Sequence, residues 1–322
     1  MTTTTEQKRF ATLQAQFAQH GNTVDEFRQA ILATLGYAPP DIDDDGAIHR
    51  FGPSGRGRDK PNWYMLHMDG TPAGAFGDWR SGLQSTWCAK SSESMTPAER
   101  EAHRQRIKAM KAQRDDAEAA RCKDEADKAA IRWQAASTSG AHPYLSFKSV
   151  RAYGIRQDGE TLLIPLRDTA GKLHSLQTIT PEGEKRFKGR MKGCYHPIGG
   201  KPPEVCLVIA EGYATGATIH EATGWPVAVA FNAGNVGPVA AALHKAYPAL
   251  TLVMAADDDH LTLGNPGLSA ARQAALAVGG FVVVPRFPAN RPPKATDFND
   301  LAALAGLSAV RACFSEIEVI SC

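Results

Sequence analysis

From position 205 onward the chain alternates short, dense apolar runs with segments of helical spacing. The runs 205–210, 227–231, 250–256 and 281–284 read as strands. Each is short and apolar, and each is closed by Glu, Asn, Asp or Pro. The segments from about 214 to 221, 238 to 247 and 268 to 278 read as helices, with a last helix near 300–305. Strands that are apolar throughout and separated by helices predict a parallel sheet covered on both faces.

The pattern ahead of this region is different. Residues 1–20 are Thr/Gln-rich and loosely helical. Thr23 reads as an N-cap with Glu26 at the capping-box spacing, predicting a helix to Leu35 that stops at Gly36. Short β-type runs at 48–51, 63–68 and 74–80, broken by Gly and Pro, predict a small sheet. After a polar linker at 91–94, Thr96, Pro97 and Glu99 give a cap, a first-turn proline and a box partner. They predict a helix to about 136, basic in its first half and acidic in its second. With few large apolar residues before Ile131 and Trp133, it reads as a solvated arm. A break at 137–140 leads to a β-hairpin at 161–180. The chain therefore divides into a small α+β N-terminal module (1–90), a linker and charged helix (91–140), a hairpin with a basic loop (141–200) and an α/β unit (201–322).

Composition narrows the chemistry only a little. The 322 residues carry a net charge of +2, so any nucleic-acid role must rest on local patches. The six cysteines are scattered without a C-x-x-C pair, which predicts neither a disulfide framework nor zinc. No run reaches the ~18 apolar residues of a membrane helix, and the first residues show no basic-then-apolar leader. A cytoplasmic protein with no membrane partner is expected.

Two patches are locally basic. The loop 52–60 carries Arg56, Arg58 and Lys60, flanked by Arg50, Trp63, Trp79 and Arg80. Cations that hold phosphates beside rings that stack on bases suit single-stranded DNA, although the tryptophans equally suit the core of a small domain. The segment 183–193 packs Lys185, Arg186, Lys188, Arg190 and Lys192 among three glycines. Glycine allows close backbone approach, and the cations suit a triphosphate or a template strand.

Acidic residues follow the apolar runs. Glu211 ends the first run, Asp257, Asp258 and Asp259 end the third, and Asp297 and Asp300 sit ahead of the last helix. In open α/β sheets the functional crevice lies at the carboxyl ends of the strands. Carboxylates gathered there suit a hard divalent cation that serves phosphate chemistry, or, for Glu211, proton transfer. Asp300 equally suits a helix cap. The chain has neither a G-x-G-x-x-G after its first strand nor a G-x-x-x-x-G-K-[ST] loop.

Glu211 followed by the Asp257-x-Asp259 pair resembles the Toprim domain of primases, topoisomerases and related nucleases. The segment E-G-Y-A-T-G (211–216) is similar to the E-G-Y-A-T-A signature of conjugative-plasmid (TraC-type) primases and of a satellite-phage primase–helicase, with Gly216 in place of Ala. The hairpin with its basic loop (162–193) and the H-R-F…W-Y…G-x-F-G-D-W pattern also resemble these primases. The resemblance implies a Toprim fold, a small parallel sheet between helices, joined to the N-terminal domain by the charged helix. It implies Glu211, Asp257 and Asp259 as catalytic residues that hold Mg²⁺ or Mn²⁺, with Asp258 and Asp297 as further ligands and no zinc. The implied activity is synthesis of short RNA primers on single-stranded DNA from ribonucleoside triphosphates, with a separate helicase as a further partner. The alternatives are a Toprim nuclease and a non-catalytic single-stranded-DNA-binding protein.

Overall fold

The computed structural model describes residues 4–52, 60–79, 82–138, 140–200 and 206–320. The chain divides into two compact units, Met1–Ala119 and Ala120–Cys322.

The first unit is a four-stranded antiparallel sheet between helical segments. Helix α1 (Thr4–Leu35) leads to β1 (His49–Phe51), β2 (Asn62–His67), β3 (Ala73–Asp78) and β4 (Gln84–Cys88), paired in chain order. Side chains alternate along β2. Tyr64 and Leu66 join Phe27 and Ile31 of α1. Trp63 and Met65 join Met110 of α2 (Pro97–Ala135) on the other side. A Cβ on Gly74 would lie 2.5 Å from Phe27 Cε2 and 2.8 Å from the Met65 carbonyl oxygen, so glycine alone lets α1 lie this close.

Two helix expectations change. No cap forms at Thr23, because α1 runs through it and its hydroxyl donates to the Gln19 carbonyl at 2.9 Å. That local bond lets a threonine sit inside a helix. The capping box at the start of α2 does form: the Thr96 amide donates to Glu99 Oε2 at 2.8 Å, and the Glu99 amide to Thr96 Oγ1 at 3.3 Å. However, α2 is not a solvated arm along its whole length. Met110 is buried in the first unit, and Ala129 packs with Leu163 and Leu176 in the second.

The second unit holds two five-stranded sheets. One is an antiparallel meander of β5 (Ser137–Thr138), β6 (Arg156–Asp158), β7 (Thr161–Arg167), β8 (Leu173–Ile179) and β9 (Lys185–Phe187). The short helix α3 (Pro143–Lys148) lies between β5 and β6 in sequence. The other sheet contains β10 (His196–Ile198), β11 (Cys206–Ala210), β12 (Val227–Val229), β13 (Thr251–Ala255) and β14 (Phe281–Val283), in the order β10-β12-β11-β13-β14. Four of its strands are parallel, and β10 is an antiparallel edge absent from the sequence reading.

Helices α4 (Tyr213–Thr223) and α7 (Phe298–Ile320) cover one face of this sheet, burying Tyr213, Phe298, Leu301 and Phe314. Helices α5 (Ala233–Ala246) and α6 (Pro266–Val278) cover the other, through Val239, Leu243, Ala271 and Ala274. The central strand β11 is buried on both faces at every position, which is why its sequence is a continuous apolar run. Among the described residues no helix is long and apolar enough to cross a membrane.

Candidate active site

The site forms where β11 and β13 end side by side. These strands pair in parallel with Ala210 opposite Ala255, so Glu211 and Asp257 leave the sheet on strands about 4.8 Å apart. Gly212, at φ −103° and ψ 155°, is the N-cap of α4. A Cβ there would come within 4.0 Å of Lys185 Nζ.

After β13 the chain turns back at Asn265, a non-glycine residue at φ 42°. Asn265 Oδ1 accepts the Asp259 amide at 2.9 Å, and its Nδ2 donates to Asp258 Oδ1 at 2.7 Å. The Gly267 amide donates to Asp259 Oδ2 at 3.1 Å. A Cβ on Gly267 would stand 2.8 Å from the Asp257 carbonyl oxygen, so only glycine fits where α6 begins.

A third segment joins through the backbone, where the Asp258 amide donates to the Thr296 carbonyl at 2.8 Å. Asp297 then heads α7. Its Oδ1 accepts the Asp300 amide at 2.8 Å, and its Oδ2 accepts the Thr215 hydroxyl at 3.1 Å. Asp300 reaches back to the Thr296 and Asp297 amides at 2.9 and 3.4 Å. Asp300 is thus engaged in capping, while Asp297 both caps and faces the site.

Glu211, Asp257, Asp259 and Asp297 share one electrostatic field. Burial, followed by the charges of Glu211, Asp297 and Asp259, pushes the Asp257 pKa up to about 8. Asp257 Oδ1 is shut off from solvent and has no hydrogen-bond partner. Burial, then Asp259, also raises Glu211, opposed by the Ala233 amide at the start of α5 and by Lys185.

Lys185 is exposed as a residue. Its ammonium is nonetheless crowded enough that desolvation, then Lys148, lowers its pKa against the pull of Asp297, Glu211 and Asp257. Tyr144 of α3 is buried with its hydroxyl unpartnered, and burial followed by the Asp297 charge raises it to about 12.

The remaining expected residues separate. Asp258 turns away from the cluster: Arg291 Nη1 lies 2.6 Å from its Oδ2, and Arg291 Nη2 donates to its carbonyl at 2.9 Å. Burial alone would raise Asp258, but the bonds from Arg291 and Asn265 prevail and lower it. Asp258, expected as a further metal ligand, is thus engaged by Arg291 and Asn265.

Of the basic loop, Lys185 reaches the acidic cluster. Arg186 pairs with Glu184 at 2.7 Å on the surface, and Arg190 Nε donates to the Lys192 carbonyl at 3.4 Å. The Lys188 carbonyl accepts the Ser175 hydroxyl. Asn235 pins the end of the loop, accepting the Gly193 amide at 2.8 Å and donating to the Cys194 carbonyl at 2.9 Å.

In the first unit Trp63 is 2% exposed, covered by Trp79 at 5.5 Å and by the Arg114 guanidinium at 5.9 Å. No ring face remains for a base, so Trp63 is a core residue. Trp79 is half-buried, Lys60 is exposed, and Arg50 Nη2 donates to the Lys60 carbonyl at 2.6 Å. Arg56, Arg58 and Arg80 lie outside the described residues.

Sequence reasoning missed Lys148, Thr215, Asn265, Gly267 and Arg291. Asn265-Pro266 carried a usable signal, since a cap residue before a first-turn proline starts helices. Arg291 carried none, standing in coil far along the chain from its partner.

Among the described residues no three His, Cys, Asp or Glu side chains already converge closely enough to hold an ion. Magnesium keeps several waters and takes one or two carboxylates plus substrate phosphates. The unpartnered Asp257 Oδ1 beside three other carboxylates therefore fits a hydrated divalent cation better than a closed cage.

Residues 206–308 match the Toprim domain family. One Escherichia coli protein described as DNA primase TraC is 37% identical over 284 residues, covering 82% of this chain and 26% of the relative. A second Escherichia coli DNA primase TraC is 34% identical over 262 residues, covering 75% of this chain and 17% of the relative. The chain thus spans about a quarter or less of the length of these curated relatives. A solved primase fragment of the bacteriophage T7 primase-helicase protein superimposes with a TM-score of 0.39 at 17% identity, covering 53% of this chain and 68% of that one.

Proposed function

We propose, from a chain that carries a Toprim domain, that it is a DNA primase of mobile-element type. It would make short RNA primers on single-stranded DNA by metal-dependent nucleotidyl transfer. The observation that carries the reading is the cluster at the ends of β11 and β13, with an unpartnered carboxylate oxygen on Asp257 and the Lys185 ammonium within the same field. The likeness to two proteins described as DNA primase TraC supports priming over other phosphate chemistry.

A Mg²⁺ or Mn²⁺ ion held by Glu211, Asp257 and Asp259 would offset charge on the reacting phosphate oxygens. The chain supplies the setting. The Ala233 amide orients the Glu211 carboxylate. Thr215 and the α7 cap fix Asp297. Gly212 lies beside the Lys185 ammonium, which would grip a triphosphate oxygen. The Asp258–Arg291 pair holds the acidic loop in register without spending its charge on substrate.

The test is incubation with single-stranded DNA, ribonucleoside triphosphates and Mg²⁺. New short oligomers are expected, and Asp257→Ala should abolish them. Cleavage of the strand without synthesis would make the chain a nuclease. A mobility shift with neither would make it a binding protein.

A further inference from the structure

Outside the acidic cluster, the first unit holds a cavity of about 670 Å³ between the end of β4 and the first turns of α2. Its volume is that of a small-ligand pocket. Its lining is basic and partly apolar: Lys90, Arg100, His103 and Arg104, with Met95 and Cys88. Arg100, His103 and Arg104 stand at i, i+3 and i+4 on α2, so they share one face. No Asp or Glu among the described residues lines it. Glu99 pairs with Lys90 at 2.6 Å, and Glu101 pairs with Arg104. Arg100 pairs with no carboxylate among the described residues. His103 lines the cavity, while its Nδ1 is closed off from solvent beneath that surface and has no partner. Met95 is 5% exposed and contributes apolar surface.

Guanidinium groups bind phosphate through paired donors, and an apolar wall beside them suits a base. We propose that this cavity is a nucleotide-binding site of its own, taking a nucleotide unit with its phosphate. The same chemistry is carried by a nucleotide within a single strand and by a free nucleoside triphosphate, and the experiment separates the two. The site does not depend on primer synthesis, because binding is read without turnover.

The full-length Arg100→Gln/Arg104→Gln variant is compared with wild type for a labelled oligothymidylate, by anisotropy over a range of salt concentrations, and for ATP, by calorimetry. Both arginines are exposed, and circular dichroism checks the fold. Removing a charge-assisted hydrogen bond lowers affinity roughly tenfold or more. For a strand, each phosphate no longer neutralised also lowers the slope of log K against log salt by about 0.7. Weakened oligothymidylate binding with a reduced slope assigns the site to a strand, and weakened ATP binding alone assigns it to a free nucleotide. A second measurement needs no variant: the ligand should slow alkylation of Cys88 by N-ethylmaleimide, read by mass spectrometry against Cys122. Unchanged affinity for both probes, or Cys88 alkylated equally fast with and without either ligand, overturns the proposal.

Discussion

Replacing Asp257 by Asn should stabilise the metal-free protein, and by an amount that grows with pH. The Asp257 carboxyl keeps its proton up to about pH 8 in the folded chain, against an ordinary value of 3.8. Unfolding therefore releases a proton in this range, so the group lowers stability progressively as pH rises from 3.8 to about 8. At pH 7 the penalty is about 4 kcal/mol, from roughly 3 pH units at ~1.36 kcal/mol each. Asn cannot ionise and escapes the penalty. It leaves amide atoms where Oδ1 already lacks a partner, at a cost of ~1–3 kcal/mol. The net gain is about 2 kcal/mol at pH 7 and close to zero at about pH 5. For a unit of this size it corresponds to a rise of roughly 4–8 °C in Tm. The assay is thermal unfolding by circular dichroism in chelator, at intervals from about pH 5 to pH 8. Added Mg²⁺ should raise the Tm of wild type and leave the variant nearly unchanged, because a ligand stabilises only the state that binds it. A variant no more stable than wild type at neutral pH, or a gap that does not widen with pH, refutes the electrostatic account of the cluster.

Other outcomes follow from individual side chains. Lys185→Ala should lower kcat/KM for nucleotide in a primer-synthesis assay by roughly ten- to a hundredfold. Lys188→Ala and Lys192→Ala, which are not among the main charges acting on Asp257, should change it little. Arg291→Ala removes both bonds to Asp258 and should cost about 2 kcal/mol in urea unfolding. Because Asp258 is lowered in the folded state, that contribution is present above its ordinary value of 3.8 and fades as pH falls through the folded value. Gly74→Ala drives a methyl against Phe27 and the Met65 carbonyl and should destabilise the first unit by about 1–3 kcal/mol, seen as a lower urea midpoint.

How much of the fold is legible in the chain depends on burial. β11 and β13 stand out because both faces of each are covered, leaving an unbroken apolar run with an acid at its end. The edges do not. β4 is largely polar, and β10 is three residues with a proline at its centre, which only an edge accommodates. Helix α1 hides its beginning because Gly21-Asn22-Thr23 imitates a start signal, while Thr23 instead bonds back into its own helix. The last helix reads as six residues because Gly306, at φ 79°, interrupts it, yet the helical segment extends to Ile320. Glu211, Asp257 and Asp297 are legible from their strand-end and helix-start positions. Asn265 and Arg291 reach the same loop through coil, which carries no period to read.

The groups that hold the cluster are largely those that stabilise the fold, and this explains how mutually repelling carboxylates stay together. Asp297 lies near Asp257 because α7 needs a cap, and the Asp300 amide holds its Oδ1. Asp259 is held by the Gly267 amide at the start of α6. Glu211 meets the first amide of α5. Three helix N-termini, each favouring negative charge, thus converge on carboxylates whose repulsion they offset only in part, since Asp257 remains raised. The unbalanced remainder favours a cation. An Asp257→Asn chain that gains stability while losing activity would display that balance directly, as a site held in a costly arrangement for the sake of its ligand.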